Sequence, residues 1–157
     1  MGCSGSAPAG SADPAMKGKK PLVLVTGITG YIGAVTVKAL LESKRCRVRA
    51  TMRGATDEAK LATLREGFGA AFSQIEIVEG ELLDEEQMKA ACAGCDYVLH
   101  VASPVAFGRS EEEMVPPARD GTLNVLKGCV AAKVKRCVYV GTIFNVVSNT
   151  SQEAGHT

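Results

Sequence analysis

The sequence has no tryptophan among its 157 residues, and aromatic residues of every kind make up 4% of it. A surface of stacked rings for single-stranded nucleic acid is therefore excluded. Charge of one sign is also missing: 18 basic side chains face 17 acidic ones, for a formal net charge of +1. Duplex DNA or RNA is held by a basic stripe that this balance does not supply, so no nucleic-acid partner is expected. A membrane span needs roughly 18 or more consecutive apolar residues, and no window comes near that. The start lacks the apolar core of a secretory leader, which points to a reducing, cytoplasmic compartment.

Six cysteines stand at 3, 46, 92, 95, 129 and 137 with no repeating interval. In a reducing compartment they read as free thiols, not as a disulfide framework. Cys92-Ala93-Gly94-Cys95 has redox or half-zinc spacing, but there is no second such pair, and the two histidines, His100 and His156, lie far apart. Small buried or helix-end thiols are the simpler reading.

Residues 1–20 are rich in Gly, Ser, Ala and Pro, carry no periodic apolar pattern and read as a flexible tail. Met1 to Ser6 also fits the N-myristoylation pattern, with Gly2 as acceptor and Cys3 beside it for a second chain. Two readings stand: a plain tail, or peripheral tethering to the cytoplasmic face of a membrane. One acyl chain alone binds only marginally, so tethering would need a second chain or the nearby lysines.

From Pro21 the pattern alternates. Leu22 to Val25 is a continuous apolar run suited to a strand buried on both faces. Tyr31 to Ser43 places Ile32, Val35, Ala39 and Leu40 at helical spacing. Strands are predicted at Arg47–Thr51, nearer an edge because less apolar, and at Gln74–Val78, Tyr97–Val101 and Cys137–Val140. Helices are predicted from Thr56 to Glu66, from Asp84 to Cys92, and from about Val115 to Ala132, the last with Leu123, Leu126, Cys129 and Val130 inward. Strand and helix alternating five times imply an α/β fold, a doubly wound parallel (Rossmann) sheet of order 3-2-1-4-5 over 21–157, incomplete after the fifth strand.

Chemistry concentrates at Thr26-Gly27-Ile28-Thr29-Gly30-Tyr31-Ile32-Gly33, where the first strand gives way to the first helix. Gly27 permits the tight turn, Gly30 lets backbone approach a pyrophosphate, and Gly33 lets the helix pack close to the sheet. The helix start then offers free N–H groups and a positive dipole end to phosphates. An NAD site of this kind carries an acid near the end of the second strand. Here Arg47-Val48-Arg49-Ala50-Thr51-Met52-Arg53 has none before Asp57. The guanidinium of Arg53 suits a 2′-phosphate, and Lys60 adds a point charge, so NADP(H) is the expected cofactor.

With these residues in view, the chain resembles the N-terminal half of an extended short-chain dehydrogenase/reductase, in the dihydroflavonol reductase and cinnamoyl-CoA reductase group. The matching stretches are VTGITGYIG (25–33), VRATMR (48–53), GCDYVLHVASP (94–104), DGTLNVLKGC (120–129) and KRCVYVGT (135–142). The resemblance implies that Gly27, Gly30, Tyr31, Ile32 and Gly33 hold the pyrophosphate, and that Arg53 and Lys60 hold the 2′-phosphate. Glu81 and Leu82 would stand beside the adenine, where the family has Asp-Leu, and Val101, Ala102 and Ser103 would line the nicotinamide-side ribose. His100 reads as a packed histidine at a strand end.

Two departures bear on catalysis. Where the family has Thr-Ser-Ser after its fifth strand, this chain has Val140-Gly141-Thr142, which makes Thr142 the candidate catalytic hydroxyl. The family's proton donor is a Tyr with a Lys four positions on; Tyr31, Tyr97 and Tyr139 are the tyrosines here, and none has that lysine. The expectation is the NADP(H)-binding portion of a reductase that converts a small-molecule ketone or aldehyde to an alcohol, silent as this chain alone. The alternative is a non-catalytic dinucleotide-binding or regulatory module, or a truncated paralogue.

Overall fold

In a computed structural model, the structure describes residues 19–104 and 110–142. The tail bearing Gly2 and Cys3 lies outside these residues. Strands β1 (Leu22–Val25), β2 (Arg47–Met52), β3 (Ile75–Glu79), β4 (Tyr97–His100) and β5 (Arg136–Tyr139) alternate with helices α1 (Tyr31–Ser43), α2 (Glu58–Phe68), α3 (Glu85–Cys92) and α4 (Glu111–Ala131). A 3-10 turn, Gly69–Gln74, joins α2 to β3. The strands form one sheet in the order β3-β2-β1-β4-β5, and every neighbouring pair is parallel. The α/β class and the strand order are those expected from the βα rhythm.

Each face of the sheet has its own core. Val37 of α1 and Leu61 and Leu64 of α2 pack with Val25, Val48, Ala50 and Ile75 on one face. Met88 and Cys92 of α3 and Val125 and Cys129 of α4 pack with Leu22, Leu24 and Val98 on the other. Leu24 and Val25 are both fully buried, one toward each face. A strand needs apolar residues at consecutive positions only when helices cover it on both sides, and β1 is in that situation.

The structure departs from the sequence reading in three places. The fourth helix starts at Glu111, before the expected Val115, because Ser110 and Glu113 form a reciprocal capping box ahead of Pro116 and Pro117. The buried face of that helix is Gly121, Asn124, Val125, Gly128 and Cys129, while Leu123, Leu126 and Val130 point outward. Likewise α1 buries Gly33 and Val37 and exposes Ile32, Val35 and Ala39. The cause is close approach: a Cβ on Gly128 would lie 2.9 Å from the Met88 carbonyl oxygen, so α3 and α4 touch through their backbones. β2 is interior, between β1 and β3. Its Arg49 is accommodated by a 2.9 Å ion pair to Glu76 and by hydrogen bonds to the carbonyls of Ala91 and Ala93.

Candidate functional site

Because every strand runs the same way, the segments after β1, β2, β4 and β5 emerge at one edge of the sheet. The chain order reverses between β1 and β4, and open α/β sheets bind ligands in the crevice at that point. The turn from β1 into α1 is held from several sides. Gly27 has φ +78, which an L side chain rarely adopts, and a Cβ there would lie 2.9 Å from Cβ of Ala102. A Cβ on Gly33 would run into the carbonyl oxygen of Gly27. The N–H groups of Gly27 and Ile28 donate to the Thr51 carbonyl at 3.2 and 3.0 Å, and Gly27 also reaches the Thr51 hydroxyl.

Thr26, buried at the end of β1, ties this turn to β4. Its Oγ1 accepts the N–H of Val101 at 3.0 Å and of Ala102 at 2.9 Å, and lies 3.0 Å from Nδ1 of His100. With both lone pairs engaged, the hydroxyl has only its proton left to offer, so it donates to Nδ1. The His100 proton then sits on Nε2, 3.3 Å from the Thr122 hydroxyl, which itself donates to the Ala118 carbonyl. Each hydrogen bond in this row has one donor and one acceptor only when His100 is neutral. Burial holds its pKa below the ordinary histidine value, in agreement. His100 is thus the packed strand-end histidine expected from the sequence, with an added structural duty.

Among the described residues, α1 is the one α-helix without a side-chain cap. Asp57, Asp84 and Ser110 accept first-turn N–H groups of α2, α3 and α4. At α1 the N-cap is Gly30, with no side-chain hydrogen bond and no acid in the first turn. The first N–H groups of α1 therefore open toward the crevice with their dipole end unneutralised. Tyr31 and Ile32, the first two residues of the helix, are 85% and 55% exposed.

Beyond β2, Arg53 is exposed, with its guanidinium 3.9 Å from the Glu81 carboxylate. The loop after it is pinned by Glu79, whose carboxylate accepts the N–H of Gly54 at 2.8 Å and of Ala55 at 2.7 Å, bonds that lower its pKa. Lys60 does not point away as a loose charge. Its Nζ donates to the Arg53 carbonyl at 2.9 Å and lies 3.6 Å from Asp57, bracing the same loop. The N–H of Glu81 donates to Gln87. Leu82 packs toward α4, its carbonyl accepting Nδ2 of Asn124 and its side chain meeting Gly121. Val101 and Ala102 are partly buried against the glycine turn and Ser103 is exposed beside them. Thr142 follows β5, whose continuation pairs through the Val140 N–H to the His100 carbonyl, and is exposed at the same edge.

The structure thus brings the glycine turn, Arg53, Glu81, the 101–103 segment and Thr142 to one edge of the sheet. Sequence reasoning missed Thr26, Thr51, Glu79 and Asn124. Thr26 and Thr51 stand where strands end beside the glycine turn, a position that was itself visible; Glu79 and Asn124 carried no local signal.

A parallel sheet with a glycine turn at its reversal point places the chain in the doubly wound, Rossmann-like α/β class. The sequence profile of the 3-beta hydroxysteroid dehydrogenase/isomerase family matches residues 24–156, and the chain belongs to that family. Anthocyanidin reductase of Arabidopsis thaliana is 34% identical over 134 residues, covering 83% of this chain and 38% of its own. Cinnamoyl-CoA reductase 1 of Petunia hybrida is 39% identical over 132 residues, covering 84% and 38%. Among solved structures, vestitone reductase from alfalfa (Medicago sativa L.) superimposes with a TM-score of 0.59 at 34% identity, covering 76% of this chain and 36% of that one. The chain spans about two-fifths of the length of the curated relatives it matches.

Proposed function

We propose that this region holds NADPH and serves a reductase that converts a ketone or aldehyde to an alcohol. The observation that carries the reading is the uncapped start of α1 at the reversal point of the sheet, with Arg53 at the end of the next strand. The residues suit the group: the turn is closed to any Cβ at Gly27 and Gly33, yet Gly30 meets nothing nearer than the Gly27 oxygen at 3.5 Å. Backbone can therefore approach a diphosphate at Gly30, with the N–H groups of Tyr31, Ile32 and Gly33 as donors. Arg53 would face the 2′-phosphate, with Lys60 and Glu79 holding its loop. Glu81 and Leu82 would border the adenine, and Val101, Ala102 and Ser103 the nicotinamide-side ribose.

When bound, the cofactor supplies the hydride. This chain's own part is to orient it: Thr26 ties the 101–102 backbone to the glycine turn. Thr142 would donate its hydroxyl proton in a hydrogen bond to the substrate carbonyl oxygen, favouring the developing negative charge. No other proton donor of the family's pattern is present, so the chain by itself is expected to bind without turnover.

Calorimetry with NADPH and NADH tests the reading. NADPH should bind more tightly, and Arg53→Gln should remove about tenfold or more of that advantage while leaving NADH unchanged. Equal affinity for the two cofactors would end the phosphate role of Arg53. Measurable NADPH oxidation by this chain with a simple ketone or aldehyde would overturn the expectation of silence.

A further inference from the structure

The net charge of +1 conceals an uneven distribution. Among the described residues, eight lysines and arginines stand within 4.0 Å of a carboxylate and eight do not. Seven of the unpaired eight collect at the edge where the strands begin. Lys19 and Lys20 lead into β1, Lys44 and Arg45 lead to Arg47 at the start of β2, and Lys133 leads to Arg136 at the start of β5; all seven are exposed. The eighth, Lys38, is in the body of α1. Helix C-termini favour cations, which accounts for Lys44, Arg45 and Lys133. Lys19, Lys20, Arg47 and Arg136 have no helix end to complement.

Two further features mark this edge. Lys44 and Lys133, both at φ +55, are the two non-glycine residues with positive φ among the described residues. Lysine thus holds two positions where glycine would be unstrained. Between the starts of β1 and β2 lies a cavity of about 260 Å³, lined by Lys20, Lys44 and Arg47 with Gln74, Leu41 and Cys46. The N–H of Arg47 donates to the Pro21 carbonyl at 2.8 Å, which brings the cations of the two loops together. No acid lines the cavity. Asp96 at the same edge is engaged by the Leu22 N–H at 2.9 Å and by Lys135 at 3.0 Å, and exposed Glu42, on the last turn of α1, stands outside the lining.

We propose that this edge docks on an anionic bilayer, with a lipid phosphate seated among Lys20, Lys44 and Arg47. The cations extend from β2 to β5, three strand spacings or about 14 Å. A row of charges along a sheet edge suits a plane of phosphates better than a groove. The three cations and the Gln74 amide supply donors to the phosphate oxygens. The attraction is electrostatic and needs no acyl chain on the tail. Because the glycine turn and Thr142 stand at the opposite edge of the sheet, docking leaves the proposed cofactor turn facing away from the lipid.

The test is co-sedimentation of the full chain, made without acylation, with vesicles of phosphatidylcholine alone or mixed with phosphatidylserine. Binding is expected only to the vesicles that contain phosphatidylserine, and it should fall as salt is raised. Lys44→Gln and Arg47→Gln should each weaken it about fivefold, the worth of one cation at an anionic surface. Arg47→Lys, which keeps the charge, should bind as the wild type does. Lys38→Gln removes the same charge away from the edge and should leave binding unchanged. The proposal fails if phosphatidylserine adds nothing, or if Lys38→Gln weakens binding as much as Arg47→Gln does. It also fails if inorganic phosphate at matched ionic strength releases the protein, which would mark a free-anion site, or if duplex RNA is bound and the vesicles are not.

Discussion

Strands β1 and β5 are each four residues long, yet β1 (Leu-Val-Leu-Val) is buried at every position and β5 (Arg-Cys-Val-Tyr) at none. Composition accounts for part of this, since Arg136 suits solvent, but Val138 is as apolar as Val23 or Val25, and there the neighbours decide. β1 is hydrogen-bonded to β2 and β4 and covered by a core on each face, whereas β5 pairs only with β4 among the described residues. Val138 and Tyr139 of β5 are 46% and 51% exposed. The turn after β1 is consequently fixed from several sides, while β5, which leads to Thr142, is paired on one side among the described residues. The difference teaches that the proposed cofactor turn and the proposed catalytic hydroxyl stand on unequally supported parts of one sheet.

The largest effects should come from breaking the β1 side. Leu24→Ala removes a side chain with no exposure from the middle of the central strand and should cost about 2–5 kcal/mol in urea unfolding. Gly33→Ala should act on the turn itself, because the new methyl group collides with the Gly27 carbonyl and something must shift. Stability and NADPH affinity should fall together. A loss of stability with affinity intact would show that the turn is not the cradle.

Thr26→Val comes next. The shapes match, but the Val101 and Ala102 N–H groups lose their acceptor and Nδ1 of His100 loses its donor. Leaving buried polar groups unpaired should cost about 1–3 kcal/mol, and Thr26→Ser, which keeps the oxygen, should cost far less. If valine and serine behave alike, the row of hydrogen bonds through Thr26 is not what joins the turn to β4.

This row also shows where sequence reading stops. The run Leu22–Val25 and the glycines of 27–33 were legible because each acts on its immediate neighbours in the chain. Thr26 was not, because its partners lie 74 to 76 residues away. The inward faces of α1 and α4 were misjudged for another reason. Apolar spacing assumes that large side chains face the core. Here Gly33, Gly121 and Gly128 face it, because the Gly27 turn, the Leu82 side chain and the Met88 backbone of α3 leave no room for more. Lys60 was read as a point charge for the 2′-phosphate; its bond to the Arg53 carbonyl depends on a loop geometry that residue spacing does not encode.

Titration of His100 gives a smaller, reversible test of the same contrast. Its folded pKa lies below the usual 6.5, so between those two values the unfolded chain binds a proton that the folded chain does not. The stabilisation is fully present above about pH 6.5 and is lost as pH falls through that window toward the folded pKa. Protonation would put a second donor opposite the Thr26 hydroxyl and break the row. Urea midpoints should therefore decline as pH falls below about 6.5 in the wild type, and the decline should flatten in His100→Gln. An equal slope in both would place the acid sensitivity elsewhere.

The smallest effect belongs to β5. Val138→Ala deletes two methyl groups that are nearly half in solvent, so it should cost less than about 1 kcal/mol, against the much larger cost at Leu24. The comparison sharpens if the same substitution is placed in a chain lengthened to the relatives' full extent. If further chain covers β5 there as the cores cover β1 here, the cost should climb toward the range of a core truncation. Apolar burial is proportional to the area removed from water, so the increase reports directly on how much of Val138 becomes covered. Identical costs in the short and long chains would mean that β5 stays an exposed edge, and the difference between the two strands would then be a property of the fold itself.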